Sequence, residues 1–237
     1  MKFKVSVLLL GHGSADNAHA AAQAHALRLA ASGRYAAAEV AFLKGEPSVA
    51  AGLARLPAGP VAVVPLALAE GHVTRVLVPK MLAAAADPRR PTTCLNPAGT
   101  ASVLPRIVGA RAVATARQAG LDPSTAALML IAHGGGTGAS RDGAWRMAAA
   151  LDGATPFHTV GTALLEESPS IAETASRLGN RLVAAGLFAE RGDHVQRDIE
   201  AELDRLRSAT GATILDAGPI GATPAYYEAI LEILEMA

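Results

Sequence analysis

Two apolar runs that each stop at a glycine-linked histidine set the frame for this chain. Val5-Ser-Val-Leu-Leu-Leu-Gly-His-Gly-Ser14 and Ala127-Leu-Met-Leu-Ile-Ala-His-Gly-Gly135 share one plan. An unbroken apolar run of this length reads as a strand buried on both faces. The glycines end it, hold the histidine at its carboxyl end and open a helix. The second histidine, His133, follows His12 by 121 positions. Two further landmarks recur 122 positions on: Glu46-Pro47-Ser48 as Ser168-Pro169-Ser170, and His72-Val-Thr-Arg75 as His194-Val-Gln-Arg197. A period this long means a duplicated structural unit, and two copies are too few for a solenoid. The expected architecture is two similar α/β lobes, 1–120 and 121–237, facing each other across a cleft.

Each half alternates strand and helix. The first reads as strands over 4–10, 39–43, 61–68 and 92–95, with helices over 15–31, 47–56, 72–86 (interrupted near Pro79) and 102–119. Residues 118–125 form a connector. The second half reads as strands over 127–132, 157–165, 181–189 and 213–215, with helices over 139–151, 169–178, 194–209 and 223–236. Alternation of this kind predicts parallel sheets covered on both faces.

Composition removes several classes of function. Lys+Arg and Asp+Glu both number 21 and aromatics make up only 3%, so a nucleic-acid partner is not expected. Cys94 is the only cysteine, which excludes an intrachain disulfide and any metal site built on several thiolates. The apolar run after Lys4 is too short for a signal peptide and nothing approaches a membrane span, so a cytoplasmic location with no membrane partner is expected. No G-x-x-x-x-G-K-[ST] loop and no G-x-S-x-G elbow is present. Gly134-Gly-Gly-Thr-Gly-Ala139 fits a dinucleotide-type turn, but its partner in the first half does not.

Open α/β sheets bind ligands beyond the carboxyl ends of their strands. His12 and His72 both fall at that edge in the first half, and His133 and His194 in the second. Carboxylates lie close by in sequence: Glu46 and Glu70, then Glu166, Glu167, Glu190 and Asp193. Imidazole with carboxylate suits a divalent first-row metal, and imidazole also accepts protons near neutral pH. A single Gly-His-Gly after a strand is equally a tight turn; the duplicated pair is what argues for chemistry. Arg75 and Arg197, three residues after a histidine, could face substrate carboxylates. His19, His25 and His158 have no counterpart in the repeat and read as surface or core residues.

These residues resemble the class II tetrapyrrole chelatases, specifically the CbiX-like sirohydrochlorin cobalt- or ferrochelatases. The resemblance rests on Leu-Leu-Gly-His-Gly-Ser14, Val40-Ala-Phe-Leu-Lys-Gly-Glu-Pro-Ser48, Val63-Val-Pro-Leu-Ala-Leu-Ala69, Gly71-His72, Ala132-His-Gly134 and Phe188-Ala-Glu-Arg-Gly-Asp-His-Val-Gln-Arg-Asp-Ile199. It implies two flavodoxin-like lobes and ATP-independent insertion of a divalent metal into sirohydrochlorin or a related tetrapyrrole. Co2+, Fe2+ or Ni2+ would be the substrate metal, with no permanently bound cofactor. The chain would act as a monomer or homodimer. The implied metal-binding and catalytic histidines are His12, His72, His133 and His194. The implied acidic partner is Glu46 in the first half and Glu166 in the second.

Neither half copies the family pattern completely. The Phe-Leu-Glu acid is Lys44 in the first half and Glu166 in the second. The Glu-Pro-Ser acid is Glu46 in the first half and Ser168 in the second. Asp198 is replaced by Val76, and the arginine that usually follows His-Gly-Ser is Ala15. The intact His-Gly-Ser favours the first half as the catalytic one; the loop before His194 favours the second. Two rival readings are a non-catalytic metal- or tetrapyrrole-binding protein and a histidine phosphatase. The phosphatase would need Arg where Gly11 and Ala132 stand.

Overall fold

The computed structural model describes residues 4–13, 19–135, 138–190 and 192–237; the side chains of residues 139 and 193–196 also fall outside the described part. Strands β1 (Ser6–Gly11), β2 (Ala38–Phe42), β3 (Val61–Pro65) and β4 (Thr92–Cys94) form one parallel sheet in the order β2-β1-β3-β4. Strands β5 (Ala127–Ala132), β6 (Val160–Leu164), β7 (Arg181–Gly186) and β8 (Thr213–Pro219) form a second in the order β6-β5-β7-β8. With the first strand inside and the second at the edge, this is the flavodoxin-like order expected from the sequence. Both apolar runs become the inner strand of their sheet, and all six residues of β1 and of β5 are buried.

The helices are α1 (Ala20–Ala31), α2 (Val49–Arg55), α3 (Val78–Ala84), α4 (Leu104–Gln118), α5 (Ala139–Leu151), α6 (Ile171–Leu178), α7 (Asp193–Thr210) and α8 (Tyr226–Glu235). Strand alternation sends Leu8 and Leu10 of β1 to one face, where they pack with Val49 and Leu53 of α2 and Val78 and Leu82 of α3. In the second sheet Met129 and Ile131 pack with Ile171 and Ala175 of α6 and with Ile199, Leu203 and Leu206 of α7.

The chain forms two compact units. One unit holds residues 1–102 and 222–237, the other residues 103–221. Helix α4 packs on β7, β8 and α5 of the second unit, burying Leu104, Ile107, Val108, Ala112 and Ala116. Helix α8 packs on β3 of the first, burying Tyr226, Ala229, Ile230 and Ile233. Each sheet is thus completed by the helix that follows the other sheet in chain order.

Two predicted helices start later than expected. Pro47 and Pro169 were read as first-turn residues, but each follows a cis peptide bond and precedes a serine cap. Ser48 Oγ accepts the Ala51 N–H (3.4 Å), and Ser170 Oγ accepts the Glu173 N–H (3.2 Å) while Glu173 accepts the Ser170 N–H (2.6 Å). The interruption near Pro79 takes the form of a widened π turn over Val73–Leu77 before α3. Proline has no N–H to give and crowds the preceding turn, which opens to accommodate it. The repeat extends to close backbone approaches. A Cβ on Gly99 would lie 2.2 Å from the Leu68 backbone, and one on Gly221 2.4 Å from that of Ala189. No described helix is long and apolar enough to cross a membrane.

Candidate functional site

The carboxyl edge of each sheet is built on the same backbone frame. In the first unit, Leu43 N–H donates to Gly11 O (3.1 Å), Lys44 N–H to His12 O (2.9 Å) and Phe42 N–H to Pro47 O (2.9 Å). In the second, Leu165 N–H donates to Ala132 O (3.0 Å), Glu166 N–H to His133 O (3.1 Å) and Leu164 N–H to Pro169 O (2.8 Å). Each histidine is therefore tied by its carbonyl to the residue that follows the neighbouring strand by two positions. The tie demands glycine next in line. Gly13 has φ +81°, and a Cβ there would lie 1.7 Å from Lys44 O.

On this common frame the side chains differ. In the second unit, His133 Nδ1 lies 3.5 Å from Glu166 Oε1, both groups half-exposed. Solvent reaches the pair, so it adds little stability by itself. Its worth is geometric, because it sets an imidazole nitrogen beside a carboxylate oxygen on the wall of one pocket. Glu167 is used structurally: it accepts the Gly135 N–H and pairs with Arg141 Nη1 at 3.2 Å. His133 and Glu166 open onto a pocket of about 390 Å³ that is also lined by Ser170, Ile171, Asp198 and Glu202. Arg205 grips Glu202 with two hydrogen bonds (2.8 and 2.7 Å), which hold its carboxyl below the usual glutamate value.

In the first unit the frame presents Lys44 where the second presents Glu166. The two acids near in sequence are engaged elsewhere. Glu46 Oε2 accepts the Ser48 N–H at 3.0 Å, at the start of α2. Glu70 Oε2 accepts from Arg75 Nε and Nη2 at 3.1 and 2.5 Å. His12 and His72 are both exposed. The loop before His72 is held by Thr74, whose hydroxyl accepts the Gly71 N–H (2.9 Å) and donates to Gly71 O (3.1 Å). Among the described residues no three His, Cys, Asp or Glu side chains gather as a metal cluster.

His194 lies in the first turn of α7, but its side chain lies outside the described residues, as do Ser14, Gly136, Thr137 and Arg191. Asp198 and Glu202 line the pocket as well, although neither stands among the candidate site residues of the sequence. They stand four apart on α7, one and two turns beyond His194, and that spacing was the available signal.

His19 was read only as a core or surface residue. It is buried, 3% exposed, and its ring stacks on Phe42 with centroids 3.6 Å apart. Phe42 in turn lies against Gly11 directly before His12. Its Nε2 has no partner among the described residues, and burial lowers its pKa. The native state therefore binds its proton less readily than the unfolded chain does. That contribution to stability is present above the ordinary imidazole value of about 6.5 and is lost as pH falls below it. Urea unfolding should show the wild type losing more stability between pH 7.5 and pH 5.5 than His19→Phe, which keeps the stack and removes the titration.

Comparison with known proteins places this geometry. No curated protein matches the chain. Among solved structures, CbiX, the terminal enzyme for biosynthesis of siroheme in denitrifying bacteria, is 27% identical with a TM-score of 0.80, and 99% of each chain is covered. SirB from Bacillus subtilis, solved with Fe3+, has a TM-score of 0.82 at 22% identity, covering 98% of this chain and 95% of SirB. DR2241 from Deinococcus radiodurans is a multi-domain protein with structural similarity to chelatases. It has a TM-score of 0.81 at 24% identity over 97% of this chain, which spans 54% of that protein. The CbiX family profile matches residues 6–115 and again 127–237, one match per sequence repeat. By that double match, and by the sheet order and the paired histidine loops, this chain belongs to the CbiX family.

Proposed function

We propose that the protein inserts a divalent metal ion, Co2+ or Fe2+, into sirohydrochlorin or a related tetrapyrrole without nucleotide hydrolysis, in the making of cobalamin or siroheme. The observation that carries this reading is the convergence of His133 and Glu166 on one pocket at the carboxyl edge of the second sheet. The CbiX of denitrifying bacteria supports the substrate class, and the SirB structures with Fe3+ and with cobalt support the metals.

The second unit is the metal-handling one. His133 and Glu166 supply one nitrogen and one oxygen ligand, and His194 is the third candidate ligand. So few fixed ligands leave the ion open to other donors, which a site that hands its metal on requires. Insertion exchanges one M2+ for two pyrrole N–H protons. A neutral imidazole and the carboxylates of Glu166 and Asp198 are bases suited to receive them. The intact His-Gly-Ser argues for the first half, but Lys44 stands there at the backbone place that Glu166 holds in the second. His12 and His72 of the first unit are then not the ligands of the transferred metal, and Glu46 is held at the start of α2. A cytoplasmic setting suits the free, exposed thiol of Cys94.

The test is anaerobic absorbance of sirohydrochlorin with Co2+ or Fe2+ and sub-stoichiometric protein. Many turnovers above the spontaneous rate are expected. A spectrum that saturates at one equivalent with no acceleration would instead mark a binding protein.

A further inference from the structure

We propose that the second unit carries a further binding site, for a small carboxylate with an apolar body, at the outer edge of β6. A pocket of about 280 Å³ lies there, lined by Trp145 of α5 and Arg177 of α6. It shares no lining residue with the pocket of His133 and Glu166, and nothing in it depends on metal insertion.

The first unit shows what the second lacks. Glu39 pairs with Leu8 across the first sheet as Gly161 pairs with Met129 across the second, and Val40 answers to Thr162 in the same way. Arg55 and Arg177 each stand two turns beyond the capping serine of their helix, Ser48 or Ser170. In the first unit the Arg55 guanidinium lies 4.0 Å from the Glu39 carboxylate. In the second, glycine replaces that acid, and Arg177 forms no ion pair among the described residues. Its contacts are long bonds to neutral oxygens, from Nε to Glu173 O (3.3 Å) and from Nη2 to Thr174 Oγ1 (3.5 Å). The Glu173 carboxylate, one turn back on α6, is taken by the Ser170 N–H and the Ser168 hydroxyl. One unit thus meets its arginine with a carboxylate of its own, and the other leaves the same arginine beside a pocket.

The walls fit a small acid. Thr162 sets a hydroxyl where Val40 has a methyl group. The residue is 7% exposed, and its Oγ1 has no partner among the described residues. A buried hydroxyl costs free energy unless something bonds it. The Thr162 N–H is a second donor at the same edge. Leu128 N–H donates to Thr159 O and Leu165 N–H to Ala132 O, so by alternation residue 162 turns its backbone groups away from β5. Its carbonyl accepts the Thr174 hydroxyl there (3.0 Å). The rest of the wall is mainly apolar, with Ala148, Val160 and Leu178 beside the exposed Trp145. A cation and hydrogen-bond donors set in apolar surface select an anion with a hydrocarbon body, and the volume, just under the usual range for small-molecule sites, calls for a compact one.

Trp145 is the only tryptophan of the chain, so indole fluorescence reports on this pocket directly. Titration with benzoate should give a saturable change. Benzamide, which has the same shape without the charge, should bind about tenfold more weakly, and Arg177→Met should weaken benzoate by a similar factor, the worth of one charge-assisted hydrogen bond. Arg177→Lys should keep part of the affinity. Arg55→Met, the matching change in the first unit, should leave it unchanged. Thr162→Val should weaken binding without lowering the Tm of the free protein, because a hydroxyl with no partner holds nothing in place. The proposal is overturned by the absence of a saturable change, by benzamide binding as tightly as benzoate, by full affinity in Arg177→Met, or by an equal loss in Arg55→Met. All readouts are taken without metal or tetrapyrrole, so their outcome is separate from that of the insertion assay.

Discussion

Replacing His133 by alanine should lower kcat for Co2+ insertion by about 100-fold or more, a loss of the size seen when a positioned base or a metal-orienting group is removed. Glu166→Gln should follow closely. The amide keeps the shape of the side chain and its backbone bond to His133 O, but loses the charge that a dication and a departing proton both need. The two residues lie within 3.5 Å of each other, so their effects should not add, and the double variant should be little worse than His133→Ala alone. His12→Ala should behave differently and lower kcat far less, because Lys44 stands in its loop where the second unit has an acid. Steady-state absorbance kinetics on the four proteins decides the matter. If His12→Ala costs as much kcat as His133→Ala, the assignment of metal handling to the second unit is wrong, whatever the metal.

That contrast depends on information the sequence holds unevenly. The strand ends were legible because β1 and β5 are unbroken apolar runs stopped by glycine, and the histidines follow them directly. Glu166 was legible because Leu164-Leu-Glu166 falls where the family phrase Phe-Leu-Glu stands, and Lys44 because Phe42-Leu-Lys44 breaks that phrase. What Glu46 does was not. Its carboxylate turns back to the Ser48 N–H because a helix start with an unsatisfied donor stands two residues on. A helix predicted to begin at Pro47 hides that donor. His19 was invisible for a different reason. Nothing in its neighbourhood of alanines announces that its ring will stack on Phe42, which is brought near by strand pairing rather than by chain order. Asp198 and Glu202 could have been found by stepping four residues at a time along α7 from His194.

Which helix covers which sheet is set by packing rather than by chain order. Both α4 and α8 follow the last strand of a sheet in chain order and bury one apolar face, and amphipathic periodicity says that a helix packs without saying on what. The structure puts α8 on the first sheet and α4 on the second. Tyr226→Ala should therefore destabilise the first unit by about 3–5 kcal/mol, the usual cost of emptying a large aromatic site. The ring is 1% exposed, and its hydroxyl donates to Leu66 O at 3.1 Å, just beyond the end of β3. Tyr226→Phe should lose only the bond, about 1 kcal/mol, with some added cost for the carbonyl left unpaired. Amide hydrogen exchange localises the effect, because sub-global opening reports on the unit that has been loosened. In Tyr226→Ala, protection should fall first in Val61–Pro65 of β3, more than 150 residues away in sequence. In Ile107→Ala, which opens a gap under α4, it should fall first in β7 and β8. The reverse pattern would mean that each helix belongs with the sheet it follows, and that the units are the sequence halves after all.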